Sequence, residues 1–211
     1  TVLAERIEEE RRKNGLIYSG IYNSNSGVND TNQFIAGEKI TKDIEPSFGS
    51  IQKLHTRNTN LLTLCEDKVV KILADKDALF NADGNTNVTA TNKVLGAADA
   101  YKGNYGISTN PESFIATPYQ VYFADPVRGQ ICGLSGEGVR AISDLGMKDY
   151  FADLLKDNVH RVIGSYDAKK KEYNVTVEEK YRKRQLVPTT TTISYSETKK
   201  GWVSFKSFAQ E

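Results

Sequence analysis

Short apolar stretches with a period near two recur along most of the chain, separated by turns rich in Pro, Gly or charge, and this predicts antiparallel hairpins. The clearest runs from Val121 to Leu134, where Val121-Tyr122-Phe123-Ala124 and Gln130-Ile131-Cys132-Gly133-Leu134 flank the turn Asp125-Pro126-Val127-Arg128-Gly129. A related phrase, Asn60 to Leu73, has the same plan with a shorter polar turn at Glu66-Asp67-Lys68. With Ser50-Ile51-Gln52-Lys53-Leu54-His55 ahead of it, that phrase makes one blade-sized group at residues 49–73. A second group spans 113–142 and includes another turn at Ser135-Gly136-Glu137-Gly138. The third, 160–178, places Arg161 to Tyr166 and Tyr173 to Val177 around a charged turn. The fourth, 190–208, places Thr191 to Tyr195 and Trp202 to Phe205 around another. Repetition of one β-unit is the sequence sign of a propeller or solenoid. The predicted fold is therefore mainly β, with antiparallel propeller-like blades, and about four groups in 211 residues suggest a partial or incomplete ring.

Two helices are expected beside the strands. Residues 1–15 are charged, carry Leu3 and Ile7 on one side and end at Asn14-Gly15, which reads as an N-terminal helix preceding a β domain at 16–211. About 146–157, Tyr150, Phe151, Leu154 and Leu155 recur at helical spacing. Leu16 to Tyr22 is a strand candidate, and Phe34 to Ile44 is ambiguous. Asn23 to Asn32 is too polar to enter a core and reads as a loop. Asp, Asn, Ala and Thr dominate 75–92, so that segment is expected to be a long loop carrying a contact surface.

Composition narrows the classes. A formal charge of +1 supplies no global field toward nucleic acid or an anionic membrane, and no apolar run approaches the length of about eighteen residues a membrane span requires. Cys65 and Cys132 stand far apart and form no C-x-x-C pair, so they read as buried thiols. The chain opens at Thr1 and its single methionine is Met147, which reads as a processed product or the ordered part of something longer.

Site chemistry is sparse. No glycine-rich phosphate loop is present. Asp83, Asn85 and Asn87 alternate as EF-hand ligands do, but Val88 and Val94 occupy the positions that need Gly and Glu. His55 and His160 are the only imidazole bases, and neither stands in a nucleophile signature. No catalytic, cofactor-binding or metal-binding residue is assigned, and no cofactor is expected. Lys180, Arg182, Lys183 and Arg184, with Lys169 to Lys171 nearby, read as a solvated basic face rather than a phosphate site. Three N-x-[ST] triplets begin at Asn29, Asn87 and Asn174 and carry weight only in a secreted eukaryotic protein. Asp125 and Arg128 read as turn and blade-stabilising residues. Tyr166, Tyr173, Tyr195, Trp202, Phe205 and Phe208 read as core and interface aromatics.

One resemblance covers most of the chain. Gly106 to Phe114, Tyr122-Phe123-Ala124-Asp125, Arg128-Gly129, Gly49 to Leu54, Leu64 to Lys68, Ile163 to Asp167 and Gly201 to Phe208 resemble the tail muzzle or stem structural proteins of crAss-like bacteriophages. The resemblance implies a virion protein of a short phage tail, related in role to podophage tail nozzles that contain propellers. It implies a ring of copies around the DNA exit channel, contacts with neighbouring tail proteins and a part in genome release. Assembly is then expected in the host cytoplasm, without membrane insertion, and contact with phage DNA in the channel or with the host surface stays open. Two other readings remain: a β-propeller module that binds a host receptor or glycan, and a propeller-fold hydrolase.

Overall fold

The computed structural model describes residues 11–35, 37, 39–80, 86–156, 159–180 and 189–208, with backbone only for 75–80 and 86–93. Of the N-terminal helix expected at 1–15, residues 1–10 lie outside the described residues, and the rest is not helical: Lys13 and Asn14 form a turn and Gly15 already opens a strand, because Asn14-Gly15 favours a turn over a helical end. Among those described, a short ribbon leads, in which β1 (Gly15–Ile17) pairs antiparallel with β2 (Thr41–Asp43). Of the strand candidate at Leu16 to Tyr22, only its start is a strand; Tyr22 makes a single bridge to Asn29.

Three four-stranded antiparallel meanders follow. The first joins β3 (Ile51–Arg57), β4 (Asn60–Cys65), β5 (Val69–Phe80) and β6 (Thr86–Ala100) in sequence order. The second joins β7 (Ile115–Ala116), β8 (Val121–Asp125), β9 (Gln130–Ser135) and β10 (Gly138–Ala141). After helix α1 (Lys148–Lys156), the third joins β11 (Val159–Asp167), β12 (Glu172–Glu179), β13 (Thr190–Ser196) and β14 (Gly201–Lys206). Four-stranded meanders in succession are propeller-like blades, and no closed barrel forms among the described residues.

Two expectations are corrected. The long loop expected at 75–92 is largely strand: β5 and β6 pair from Val70↔Ala100 out to Phe80↔Thr86. Their ladder is carried by backbone groups, which every residue type supplies, and it tolerates two register shifts around Ala74. The groups at 160–178 and 190–208 are one sheet, not two, because β12 and β13 pair in register from Glu172↔Ser196 to Glu178↔Thr190. The charged link between them hides a strand pairing that alternation alone does not reveal.

The sheets stack through alternate residues. Every residue of β8 is buried. Val121 and Phe123 face Leu62, Leu64, Val69 and Ile107 on the side of the first sheet. Tyr122 and Ala124 face Tyr173, Val175, Ile193 and Tyr195 of the third. The unbroken apolar run at Val121 to Ala124 is thus the sequence of a middle layer, covered on both faces. The first sheet repeats the device: Leu62 and Leu64 point to the second sheet, while Cys65, Val70 and Ile72 pack with Ile44, Leu16 and Phe48 beneath it.

Helix α1 closes one side of the joint between the second and third sheets. Phe151 and Leu155, one turn apart, are buried there with Ile142, while Asp149 in its first turn and Lys156 in its last suit the helix dipole. Trp202 packs on Phe151 with centroids 4.5 Å apart and donates its indole N–H to the Ile142 carbonyl at 3.0 Å.

Candidate functional site

Two groups of polar side chains lie at the joints between sheets. At the first joint, Asp125 caps the tight turn Pro126–Arg128 and accepts from the Arg128 N–H at 3.2 Å. Its fully buried carboxylate also accepts from the Ser108 hydroxyl at 2.8 Å, the Gly106 N–H at 3.2 Å and the Arg128 guanidinium at 2.9 Å. Arg128 reaches on to Asp67 in the β4–β5 turn at 3.0 Å. Burial works against the guanidinium charge, but hydrogen bonds and charge from Asp125 and Asp67 outweigh it and raise its pKa.

The loop held by Asp125 has no spare room. Ile107 and Ser108 donate their N–H groups to the Cys65 and Glu66 carbonyls, each at 3.0 Å. A Cβ on Gly106 would stand 2.1 Å from the Glu66 carbonyl oxygen, so glycine alone fits. One carboxylate therefore ties together the second sheet, the 106–108 loop and, through Arg128, the first sheet.

The second joint is built from tyrosines. Glu197, in the β13–β14 turn, accepts from the hydroxyls of Tyr122 at 2.8 Å and Tyr166 at 2.7 Å, joining the second sheet to both hairpins of the third. Tyr122 stacks on Tyr173 with centroids 4.8 Å apart, and Tyr173 donates to the Ser113 carbonyl at 2.8 Å. Burial first, and then the bond to Glu197, push Tyr122 well above the usual phenol range and Tyr166 up to about 12. Tyr173 is raised well above that range chiefly by burial.

The other residues singled out in the sequence are scattered. His55 lies on β3 against Phe114, 5.1 Å between centroids, and burial with Arg57 and Lys53 lowers its pKa. His160 lies on β11, beside Ser108, Thr109 and Lys156, in a separate depression. Cys65 and Cys132 are buried free thiols; burial pushes Cys65 up to about 11 and Cys132 well above the usual thiol value. Lys180 reaches the rim of the depression at His160, Lys169 to Lys171 form an exposed turn tip, and residues 181–184 lie outside the described set.

Asn87 sits in β6 opposite Leu79, and Asp83 and Asn85 lie outside the described residues. No group of three or more His, Cys, Asp or Glu that could hold a metal occurs among the described residues. Asn174 is buried in β12 and accepts from Ser194 at 2.6 Å, while Asn29 is exposed at its bridge to Tyr22. Of the predicted aromatics, Tyr173 and Tyr195 are core, Tyr166 and Trp202 are partly buried against it, and Phe205 and Phe208 are exposed. Sequence reasoning found Asp125 and Arg128 from their turn but missed Asp67, Ser108 and Glu197, whose partners lie in distant parts of the chain.

At the end of the first joint a depression of about 180 Å³ opens between the first two sheets. It is lined by Arg57 and Asn58 at the β3–β4 turn, Asn60 and Leu62 of β4, Lys71 of β5, Tyr101, and Ser135 and Gly136 at the β9–β10 turn. Arg57 is held in place by donating to the Tyr119 and Leu134 carbonyls at 2.7 and 3.4 Å.

No curated protein matches the chain. The family model described as the Crassvirus muzzle protein matches residues 39–211, which takes in all three four-stranded sheets and both joints. The chain therefore belongs to the Crassvirus muzzle protein family.

Proposed function

We propose that this chain is a structural, non-enzymatic component of the distal end of a short crassvirus tail, forming part of the muzzle assembly around the DNA exit channel. Membership of the muzzle family supports a virion structural protein located in the tail. One observation carries the reading further: the buried ionic and phenolic groups at both joints are used to hold sheet against sheet. A part that must keep its shape under the load of a packed genome needs such cross-ties more than it needs a reactive cleft.

Copies arrange in a ring through a heterologous interface and contact neighbouring tail proteins, and the ring helps control genome release. The test is the position of the chain in an image reconstruction of the particle. Density for a ring of copies at the tail tip is expected. A chain found as a free monomer outside the particle would overturn the reading.

A further inference from the structure

Two charged hairpin tips of the third sheet, separate in the chain, meet at one end of that sheet. In a four-stranded meander the β11–β12 and β13–β14 turns fall on the same side, and the Glu172↔Ser196 pairing sets them next to each other. The Glu197 N–H donates to the Lys171 carbonyl at 3.0 Å and fixes one tip to the other. Lys169, Lys170 and Lys171 thereby join Lys199 and Lys200 on one surface, and all five are exposed. Each run read alone is a solvated turn; the fold makes a single patch of them.

The carboxylates at this end are already engaged. Asp167 accepts from the N–H groups of Lys169 and Lys170 within its own turn, at 3.0 and 3.1 Å. Glu172 pairs with Lys206 at 3.2 Å, and Glu197 holds the Tyr122 and Tyr166 hydroxyls. None of the five tip ammonium groups has a hydrogen-bond or ion-pair partner among the described residues. With Lys206 the end carries six lysines against three carboxylates, a local excess of three positive charges where the whole chain has +1. Solubility alone does not explain where two of them stand. Lys171 and Lys200 occupy matching left-handed positions, φ 53° and 51°, where glycine is unstrained.

Exposed, unpaired ammonium groups suit a polymer of regularly spaced charges better than a small anion, which is held in a concave site. Three strand spacings span about 14 Å, the rise of about four base pairs of duplex. We propose that the paired tips bind the phosphate backbone of double-stranded DNA without reading its sequence. The choice of DNA among polyanions rests on the reading of the chain as part of an exit channel.

The test is fluorescence anisotropy of a labelled duplex of about twenty base pairs titrated with the purified chain, at salt stepped from about 50 to 200 mM. Binding is expected to weaken with salt at a log–log slope of about −4 to −5, the value for five phosphate contacts, and to be alike for unrelated sequences. Lys170→Gln with Lys199→Gln should make the slope shallower by about two, and Lys170→Glu with Lys199→Glu should weaken binding at about 50 mM salt tenfold or more. Lys180→Glu, beyond the far end of β12, changes the net charge by the same step as either single reversal and should leave most of the binding. No binding of duplex at the lowest salt, binding untouched by the double reversal, an equal loss from Lys180→Glu, or tighter binding to anionic phospholipid vesicles than to DNA would overturn the proposal. The tail reading is tested separately by the position of the chain in the particle, so a chain seen at the tail tip that does not bind duplex sinks this inference alone.

Discussion

Asp125 shows how burial sets the weight of a single charge. Its carboxylate is fully buried with four donors around it, whereas Asp67, at the far side of the same guanidinium, is 48% exposed. Removing one partner of a buried pair leaves the other uncompensated, while an exposed pair contributes little. Asp125→Asn is therefore expected to cost about 3 kcal/mol in urea denaturation, the lower end for a buried pair because Arg128 keeps 30% exposure, and Asp67→Asn less than about 1 kcal/mol. Equal losses from the two would contradict the clamp. A second residue-scale expectation concerns the β11–β12 and β13–β14 turns, which end in Lys171 at φ 53° and Lys200 at φ 51°. A left-handed lysine is strained, and glycine relieves that strain while adding freedom to the unfolded chain. Lys171→Gly should therefore raise stability by a net of about 0.5 kcal/mol, seen as a higher melting temperature.

Among the elements, α1 is the one that the β pattern does not explain. Its buried edge is Phe151 and Leu155, and Phe151 meets Trp202 and, edge-on, Tyr150. Phe151→Ala opens a cavity between helix and sheets and is expected to cost about 3–5 kcal/mol by thermal or urea unfolding. Tyr150→Ala, on the 38% exposed neighbour, should cost much less. This helix was legible in the sequence because four apolar residues kept a helical period, as were the hairpins at β8–β9, β11–β12 and β13–β14, whose tips carry Pro, Gly or charge. The β5–β6 hairpin was not, because its Asp, Asn and Ala side chains announce a loop while its hydrogen bonds run through the backbone. Nor was the β12–β13 pairing, since the basic run from Lys180 to Arg184 reads as a link between two separate hairpins. At the joints only Asp125–Arg128 could be read locally; Arg128–Asp67 spans 61 residues and Tyr122–Glu197 spans 75, and folding alone brings those partners together.

As a whole the molecule is a stack in which the middle sheet is covered from both sides, so its stability depends on groups that must stay uncharged. Tyr122 and Tyr173 ionise far less readily folded than unfolded. Above about pH 10 the unfolded chain loses these phenolic protons and the folded chain keeps them, so the unfolded state binds fewer protons and stability falls as pH rises. Their contribution is complete below that pH. Alkaline titration should show tyrosinate from these two residues appearing together with loss of the fold, and smooth ionisation of all eleven tyrosines in an intact structure would refute this. The two cysteines lend the stack a further use. Cys132 lies in the contact between first and second sheets, and Cys65 in the contact beneath the first. Both thiols are sealed and poorly ionised, and the chain holds no others. A maleimide added to the native protein thus acts as a clock for separation of the layers. Modification of Cys132 ahead of global unfolding would mark a hinge between two rigid plates, and simultaneous modification of both would mark a body that yields all at once.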